Sequence, residues 1–409
     1  MMLSDAAPSG AAGDFDLRSL PPSFYDDPYP AYRALRERDP VHRLPDGGFF
    51  LTRYADLNAV YRDTATYSSD KKVEFKPKYG DSPLYDHHTT SLVFSDPPLH
   101  TRVRKLIMGA LSPRAIAEME PSLVLLVDDL LDAMAAKGTV DAIDDFAAAI
   151  PIEVIGNLLG VPHAERAPLR GWSLAILGAL EPAITPAQFE AGNAAVRDFI
   201  AYLEILTAER RKAPGDPERD VLTRLLAGEA DGSRLSEREL LHNCIFILNA
   251  GHETTTNLIG NALNLLLEWP GERDRLLADP SLVKTAVEEF LRFESSNQLG
   301  NRRTTRETNV GGTTIAAGTS LTLCIAAANR DPDQFPEPDR LDVARTPNRH
   351  LAFASGAHQC SGMNLARLEG AIAIGRCLRR FPTYRAAGPA TRGKRARFRG
   401  FTALPLALA

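Results

Sequence analysis

Apolar and polar positions recur along most of this chain with the period of an amphipathic helix, and only short stretches carry strand signals. Between Pro22 and Asp39, the residues Tyr29, Tyr32, Leu35 and Arg36 fall at helical spacing, and Ala55–Asp63 reads as another short helix. Val41–Thr52 holds short apolar runs split by Pro45-Asp-Gly-Gly48, a hairpin signal. Residues 112–230 are mainly helical by periodicity, punctuated by Pro151, Pro162, Pro182, Pro186 and Pro214; within them 174–180 and 189–211 read as two helices around a linker. Ser236-Glu-Arg-Glu239 is a capping box. It starts a helix that Trp269-Pro270 stops after about 33 residues, roughly 50 Å, enough to cross a whole domain. Further helices are predicted over Leu282–Phe293 and from Met363 to about Arg380, with short strands around Gly311–Ser320 and Leu321–Ala328. The pattern is mainly α with a smaller β region.

Three stretches carry no clear period. Residues 1–20 are expected to be flexible or loosely packed. Asp70–Asp96, with Lys71, Lys72, Lys76, Lys78 and His87-His88, reads as a long irregular loop of solvated residues. Its lysines serve solubility first and attraction of an anionic substrate second. Thr391–Arg399, with Arg392, Lys394, Arg395, Arg397 and Arg399, reads as a solvated strand or loop that could also steer an acidic electron donor.

Composition changes this picture little: 44% of the 409 residues are apolar and 24% charged, as in ordinary globular proteins. Length alone suggests two or three domains. A net charge of −5 excludes a general nucleic-acid binder. Cys244, Cys324, Cys360 and Cys377 form no CxxC pair, so neither a zinc site nor a disulfide framework is indicated, and a reducing cytoplasm is the expected home. The N-terminus lacks the cationic start and apolar run of a signal peptide, and no window reaches the roughly 18 apolar residues of a membrane span.

The candidate chemistry centres on Phe353-Ala-Ser-Gly-Ala-His-Gln-Cys-Ser-Gly362. Cys360 lies in a glycine-punctuated loop at a helix entrance, where free N–H groups and the helix dipole favour a thiolate. Gly356 and Gly362 allow a tight turn and close approach of a flat ligand. A thiolate in such a loop suits a haem iron that must cleave O–O bonds, although a lone cysteine there is more often simply packed. His100 and Arg104 share one helix face, which alone reads as a surface patch. Within Asn249-Ala-Gly-His-Glu-Thr-Thr256, Gly251 and the threonines favour a local widening of the long helix. Glu253 beside Thr254 is then a proton-relay arrangement, unless Thr254 only bonds back one turn. Glu289 and Arg292 allow an intrahelical ion pair. Asn297, Gln298 and Asn301 either line a polar pocket wall or are solvated turn amides.

The string Phe353–Gly362 resembles the haem-binding loop of the cytochrome P-450 family, with Phe353, Gly356, the basic His358, Cys360 and Gly362 at the family's spacing and Ala354 where glycine is usual. Asp96-Pro-Pro-Leu-His100 through Arg104 is similar to the segment whose His and Arg hold a haem propionate. Ala250–Thr255 is similar to the oxygen-activation segment, Glu253 and Thr254 matching its acid and alcohol. Glu289 and Arg292 match a buried pair that the family completes with a downstream arginine, here Arg340; Arg302, with Arg303 beside it, matches a propionate-binding arginine. The five matches run in the family's order from Asp96 to Gly362.

The resemblance implies a cytochrome P-450 fold, with 21–409 as a single catalytic domain of the bacterial, cytoplasmic type. It implies haem b held through Cys360, and a monooxygenase that inserts one atom of O2 into a small hydrophobic substrate. NAD(P)H-derived electrons would come from a separate iron–sulfur ferredoxin and its reductase, with no nucleic acid and no membrane as partners. Two rivals are a peroxide-driven haem-thiolate enzyme, against which the acid–alcohol pair speaks, and a haem-thiolate gas sensor, for which no output domain is visible.

Overall fold

The computed structural model describes residues 15–217, 220–227 and 235–408. Most of the expected flexible segment 1–20, and the parts of the helical expectation over 112–230 that fall at 218–219 and 228–230, lie outside the described residues. Phe15, the first described residue, is already packed, ahead of residue 21. The Phe15 ring meets Phe24, His42 and Phe50, and Leu17 is buried beside them. Burial of these apolar side chains is what orders a segment of otherwise small and polar residues.

The molecule is built around the helix Glu237–Glu268. Ser236 Oγ accepts the Glu239 N–H, and the Glu239 carboxylate accepts the Ser236 N–H at 2.8 Å, so the capping box closes in both directions. Nearly every side chain from Leu240 to Leu266 is buried. A helix buried on all sides needs neighbours all round. Ala149–Leu158, Leu169–Gly178 and Met363–Arg380 pack along it. The helix runs unbroken through Gly251, contrary to the expected widening. Gly251 instead admits a neighbour, since a Cβ there would sit 2.5 Å from Ile155 Cδ1. Thr254 and Thr256 donate to the carbonyls of Ala250 (2.7 Å) and His252 (3.0 Å), which absorbs their hydroxyls without a break.

The β region stands to one side. Its main sheet has the strand order Val41–Arg43, Phe49–Leu51, Ser320–Cys324, Leu299–Thr304 and Tyr67–Ser68. The predicted hairpin pairs Val41 with Leu51, and Phe49–Leu51 runs parallel to Ser320–Cys324. A second hairpin joins Thr308–Val310 to Thr313–Ile315 through Gly311 and Gly312, both at positive φ.

Two stretches expected to be solvated are so only in part: Lys72, Lys76 and Lys394 are exposed, but many of their neighbours are buried. Asp70–Asp96 is mostly two helices, Lys72–Tyr79 and Pro83–Thr90, the second capped by Ser82. Lys71 is 1% exposed and meets Glu74 at 2.6 Å; His87 and His88 are buried against Phe75, Tyr79, Phe94 and His242. The lysines masked an apolar face that needs Phe75 and Tyr79 to be read together with residues far along the chain. Arg399 is likewise buried, paired with Glu294, and Arg395 and Arg397 point their guanidinium groups at buried acceptors.

The Glu289–Arg292 pair is fully buried and bidentate, with N–O distances of 2.7 and 2.8 Å. Its third arginine is Arg345, whose Nε reaches Glu289 at 3.1 Å, and not Arg340. Arg340 is exposed and paired with Glu337; only its carbonyl serves the network, accepting from Arg292. Asn348 and the backbone N–H of Asp342 also donate to Glu289, and Arg292 donates to the Asn329 and Pro338 carbonyls. Charge and hydrogen-bonding capacity are thereby satisfied together, as a buried pair requires. The network fixes the segment that leads into Phe353–Gly362.

Candidate active site

A cavity of about 340 Å³ lies between the long helix and the Phe353–Gly362 loop. That loop is held by its own backbone: the Cys360 N–H donates to the Phe353 carbonyl at 2.9 Å. Gly356, at φ +69°, approaches the Tyr61 carbonyl so closely that a Cβ would lie 2.4 Å from it. Ala354, where a glycine is usual in such loops, takes φ +55°, a conformation that costs a non-glycine residue about 1 kcal/mol. Gly362 leaves open space where a Cβ would be, at the start of Met363–Arg380.

Cys360 lines the cavity with Phe353, Ala354, His358 and Gly362. Burial pushes its thiol up from the ordinary range, opposed by the Gly362 N–H and by Arg104 and Arg367. Desolvation therefore outweighs the helix entrance that favoured a thiolate, and a bound metal is what ionises such a thiol.

His100, Arg104, Arg302 and His358 converge on one edge of the same cavity. The two imidazole rings lie 3.9 Å apart between centroids, tilted by 37°. Burial, followed by the Arg302 charge, holds His358 down to about 2 and therefore neutral at physiological pH; burial also lowers His100. Arg104 donates to Ser361 Oγ at 3.0 Å, and Arg302 to the neighbouring Asn301 carbonyl at 2.8 Å. The Nε2 atoms of His100 and His358 and the Nε of Arg302 are buried without a partner. Such a donor set calls for carboxylates. These residues fit the two propionates of a haem, whose iron Cys360 would hold. Arg302, not Arg303, is the arginine on the cavity, because alternation along Leu299–Thr304 puts them on opposite faces.

Across the cavity stand Ala250, Gly251 and Thr254. Glu253 lies on another side of the long helix. One carboxylate oxygen pairs with Arg395, and the other is buried without a partner. Burial raises the Glu253 pKa and the Arg395 charge opposes that. Arg395 in turn lines a separate cleft of about 190 Å³ with Leu174, Glu181 and Lys394. Asn297 and Asn301 also line the main cavity, whereas Gln298 is buried and donates to the Ser295 carbonyl at 2.6 Å.

Sequence reasoning passed over Glu369 and read Arg395 and Arg397 only as part of a solvated charge run. Glu369, on Met363–Arg380, lines the same cavity as Cys360, and burial pushes its carboxyl up to about 8 against a hydrogen bond with Thr255. A raised carboxyl binds its proton more tightly when folded. Its contribution is fully present below the unfolded value of 4.5 and is lost as pH rises through about 8. Denaturant unfolding of Glu369→Gln beside the parent at pH 5.5 and pH 8 should show the parent losing ground with pH, by up to about 1.4 kcal/mol per unit. Parallel behaviour of the two proteins would refute a protonated Glu369.

Comparison with known proteins agrees with this geometry. The cytochrome P-450 family model matches residues 180–385. A vitamin D(3) 25-hydroxylase of Pseudonocardia autotrophica is 41% identical over 87% of this chain and 86% of its own length. The cytochrome P-450 monooxygenase PikC of Streptomyces venezuelae is 37% identical over 90% of this chain and 87% of its own length. Among solved structures, P450BioI in complex with an acyl carrier protein ligated to hexadec-9Z-enoic acid superposes with a TM-score of 0.89 at 33% identity, covering 94% of this chain and 99% of that one. The chain belongs to the cytochrome P-450 family of haem-thiolate monooxygenases. No helix among its described residues is long and apolar enough to cross a membrane.

Proposed function

We propose that this chain inserts one atom of O2 into a small, mostly apolar substrate, using haem b on Cys360 and electrons from a separate iron–sulfur ferredoxin and its NAD(P)H-dependent reductase. The observation that carries the reading is the single cavity that has Cys360 on one wall, Thr254 on the other and a carboxylate-seeking cluster of two arginines and two histidines at its edge. When bound, the haem supplies dioxygen activation and O–O cleavage, with the cysteine thiolate pushing electron density toward iron.

The chain's own groups do the rest. His100, Arg104, Arg302 and His358 hold the propionates by charge-assisted hydrogen bonds. Apolar side chains such as Leu92, Ile247, Leu291 and Ile325 exclude water and press the substrate toward Cys360. Glu253 takes up a proton on the carboxylate oxygen that Arg395 leaves free, and the Thr254 hydroxyl passes a proton into the cavity when it turns from the Ala250 carbonyl. The four free cysteines suit a reducing cytoplasm. The relatives' names cover chemically different substrates, so they support a hydrophobic substrate class and no single compound.

The test is the carbon monoxide difference spectrum of the dithionite-reduced protein, followed by turnover with a surrogate ferredoxin and reductase. A red-shifted thiolate-type band and a product carrying one oxygen from O2 are expected. A histidine-type band would defeat the reading. In the same assay, Glu253→Gln should slow O2 consumption about 100-fold, within the range for removal of a positioned proton donor. Thr254→Ala should bind substrate unchanged while product formed per NAD(P)H falls severalfold. Unchanged coupling in Thr254→Ala would remove the hydroxyl from the proton path.

A further inference from the structure

With the edge cluster assigned to propionates, one charged group on the cavity wall has no task. Arg397 lines the cavity in the turn between Thr391–Arg392 and Phe401–Ala403. Its guanidinium donates to the carbonyls of Leu299 (2.8 Å) and Leu180 (3.3 Å) and to the side-chain oxygen of Asn301. These three acceptors are neutral and use three of its five N–H groups. No carboxylate reaches the guanidinium as an ion-pair partner among the described residues; Glu181 meets only the backbone N–H groups of Ala396 and Arg397.

The surroundings do not cancel the charge. Facing it from the other elements are Lys78, whose Nζ donates to the Glu181 carbonyl at 2.7 Å, and His88, which burial followed by Lys78 and Arg397 holds neutral at about 3. Lys71 and Glu74 pair with each other at 2.6 Å. Arg397 and Lys78 therefore share one nearby carboxylate, that of Glu181, and one positive charge is left over beside the cavity. A cation in a poorly hydrated place is costly unless an anion joins it. Leucine, isoleucine and phenylalanine side chains make up much of the rest of the wall, with His87, His88, Asn249 and Glu369 among its polar groups, so it takes an apolar chain over most of its length.

We propose that Arg397 anchors a carboxylate on an otherwise apolar substrate, with Asn297 and Asn301 beside it, so that the enzyme's substrates are apolar carboxylic acids. The inference rests on the haem-monooxygenase reading of the cavity and deepens it. A carboxylate accepts two N–H bonds from one guanidinium, which fixes one end of the substrate. The apolar remainder then extends along the cavity, so the position oxidised is set by its distance from the acid group.

The test titrates the haem-loaded protein at pH 7.5 with straight-chain acids of ten to sixteen carbons and with primary alcohols of the same lengths. Binding is read by spin-state shift and, independently of haem, by calorimetry. Acids should bind about 10- to 100-fold more tightly than the matching alcohols, the scale of a charge-assisted hydrogen bond. Arg397→Leu should bring that ratio close to one, and Arg397→Lys should keep part of it. Arg397→Gln, which can still donate to the Leu299 carbonyl, guards against a variant that merely misfolds. Equal affinity for acid and alcohol in the parent, or an acid preference that survives Arg397→Gln, overturns the proposal and leaves Arg397 as a staple between loop and strand. A parent with a histidine-type carbon monoxide band defeats the haem reading itself, and the calorimetric ratio then still decides the acid preference.

Discussion

Replacing Cys360 with serine is expected to abolish the red-shifted carbon monoxide band and to lower monooxygenase turnover by at least about a thousandfold, roughly 4 kcal/mol of barrier. Serine is close to isosteric, and the Cys360 N–H bond to the Phe353 carbonyl belongs to the backbone, so the loop should persist. What changes is the ligand atom. A thiol buried beside Arg104, Arg367 and the Gly362 N–H becomes a thiolate once iron binds, whereas an alcohol holds its proton far more firmly. The push toward O–O cleavage is then lost even where haem is retained. Circular dichroism of the variant should match the parent, separating a ligand effect from unfolding. A variant that keeps both the band and the turnover would remove Cys360 from the iron.

The largest loss of stability is expected from Glu289→Ala. The carboxylate accepts from Arg292, Arg345, Asn348 and the Asp342 N–H, and all of these lose their acceptor at once. Removing one partner of a buried pair costs about 3–5 kcal/mol, because the remaining charge stays desolvated. The Arg292 pair is fully inaccessible, so water cannot take the place of the carboxylate. Urea midpoints should also separate the two candidate third arginines. Arg345→Ala should cost about 1–3 kcal/mol and Arg340→Ala less than about 0.5 kcal/mol. The reverse order would contradict the network. Since the segment after Asp342 runs into Phe353–Gly362, haem retention should fall in step with stability.

The two residues also show where sequence reasoning works and where it fails. Glu289 and Arg292 are one helical turn apart, so their pairing is local and legible. Their partner had to be picked from a loop whose path the sequence does not specify, and the nearer arginine was the wrong one. Glu253 and Arg395 repeat the lesson: the acid was evident, but its partner comes from 142 positions away. The lysine-bearing stretch 70–96 failed for a related reason. Its helices are held by Tyr79 against Phe189 and the Ala179 carbonyl and by His87 against His242, all from distant elements, so much of the burial that orders it has no local periodic signature.

By itself, the sequence determined what depends on near neighbours along the chain. The capping box at Ser236, the stop at Trp269-Pro270, the glycine hairpins and the glycine-bounded cysteine loop each rest on contacts within a few residues. The resemblance carried by five short motifs then supplied the family. Only the tertiary structure decided which charges meet: Arg345 in place of Arg340, Arg395 on Glu253 and Arg397 turned into the cavity, while Arg302, the residue already favoured over Arg303, is the one on the cavity. Side-chain electrostatics is a property of distance and desolvation, and both are set by packing between segments far apart in the sequence.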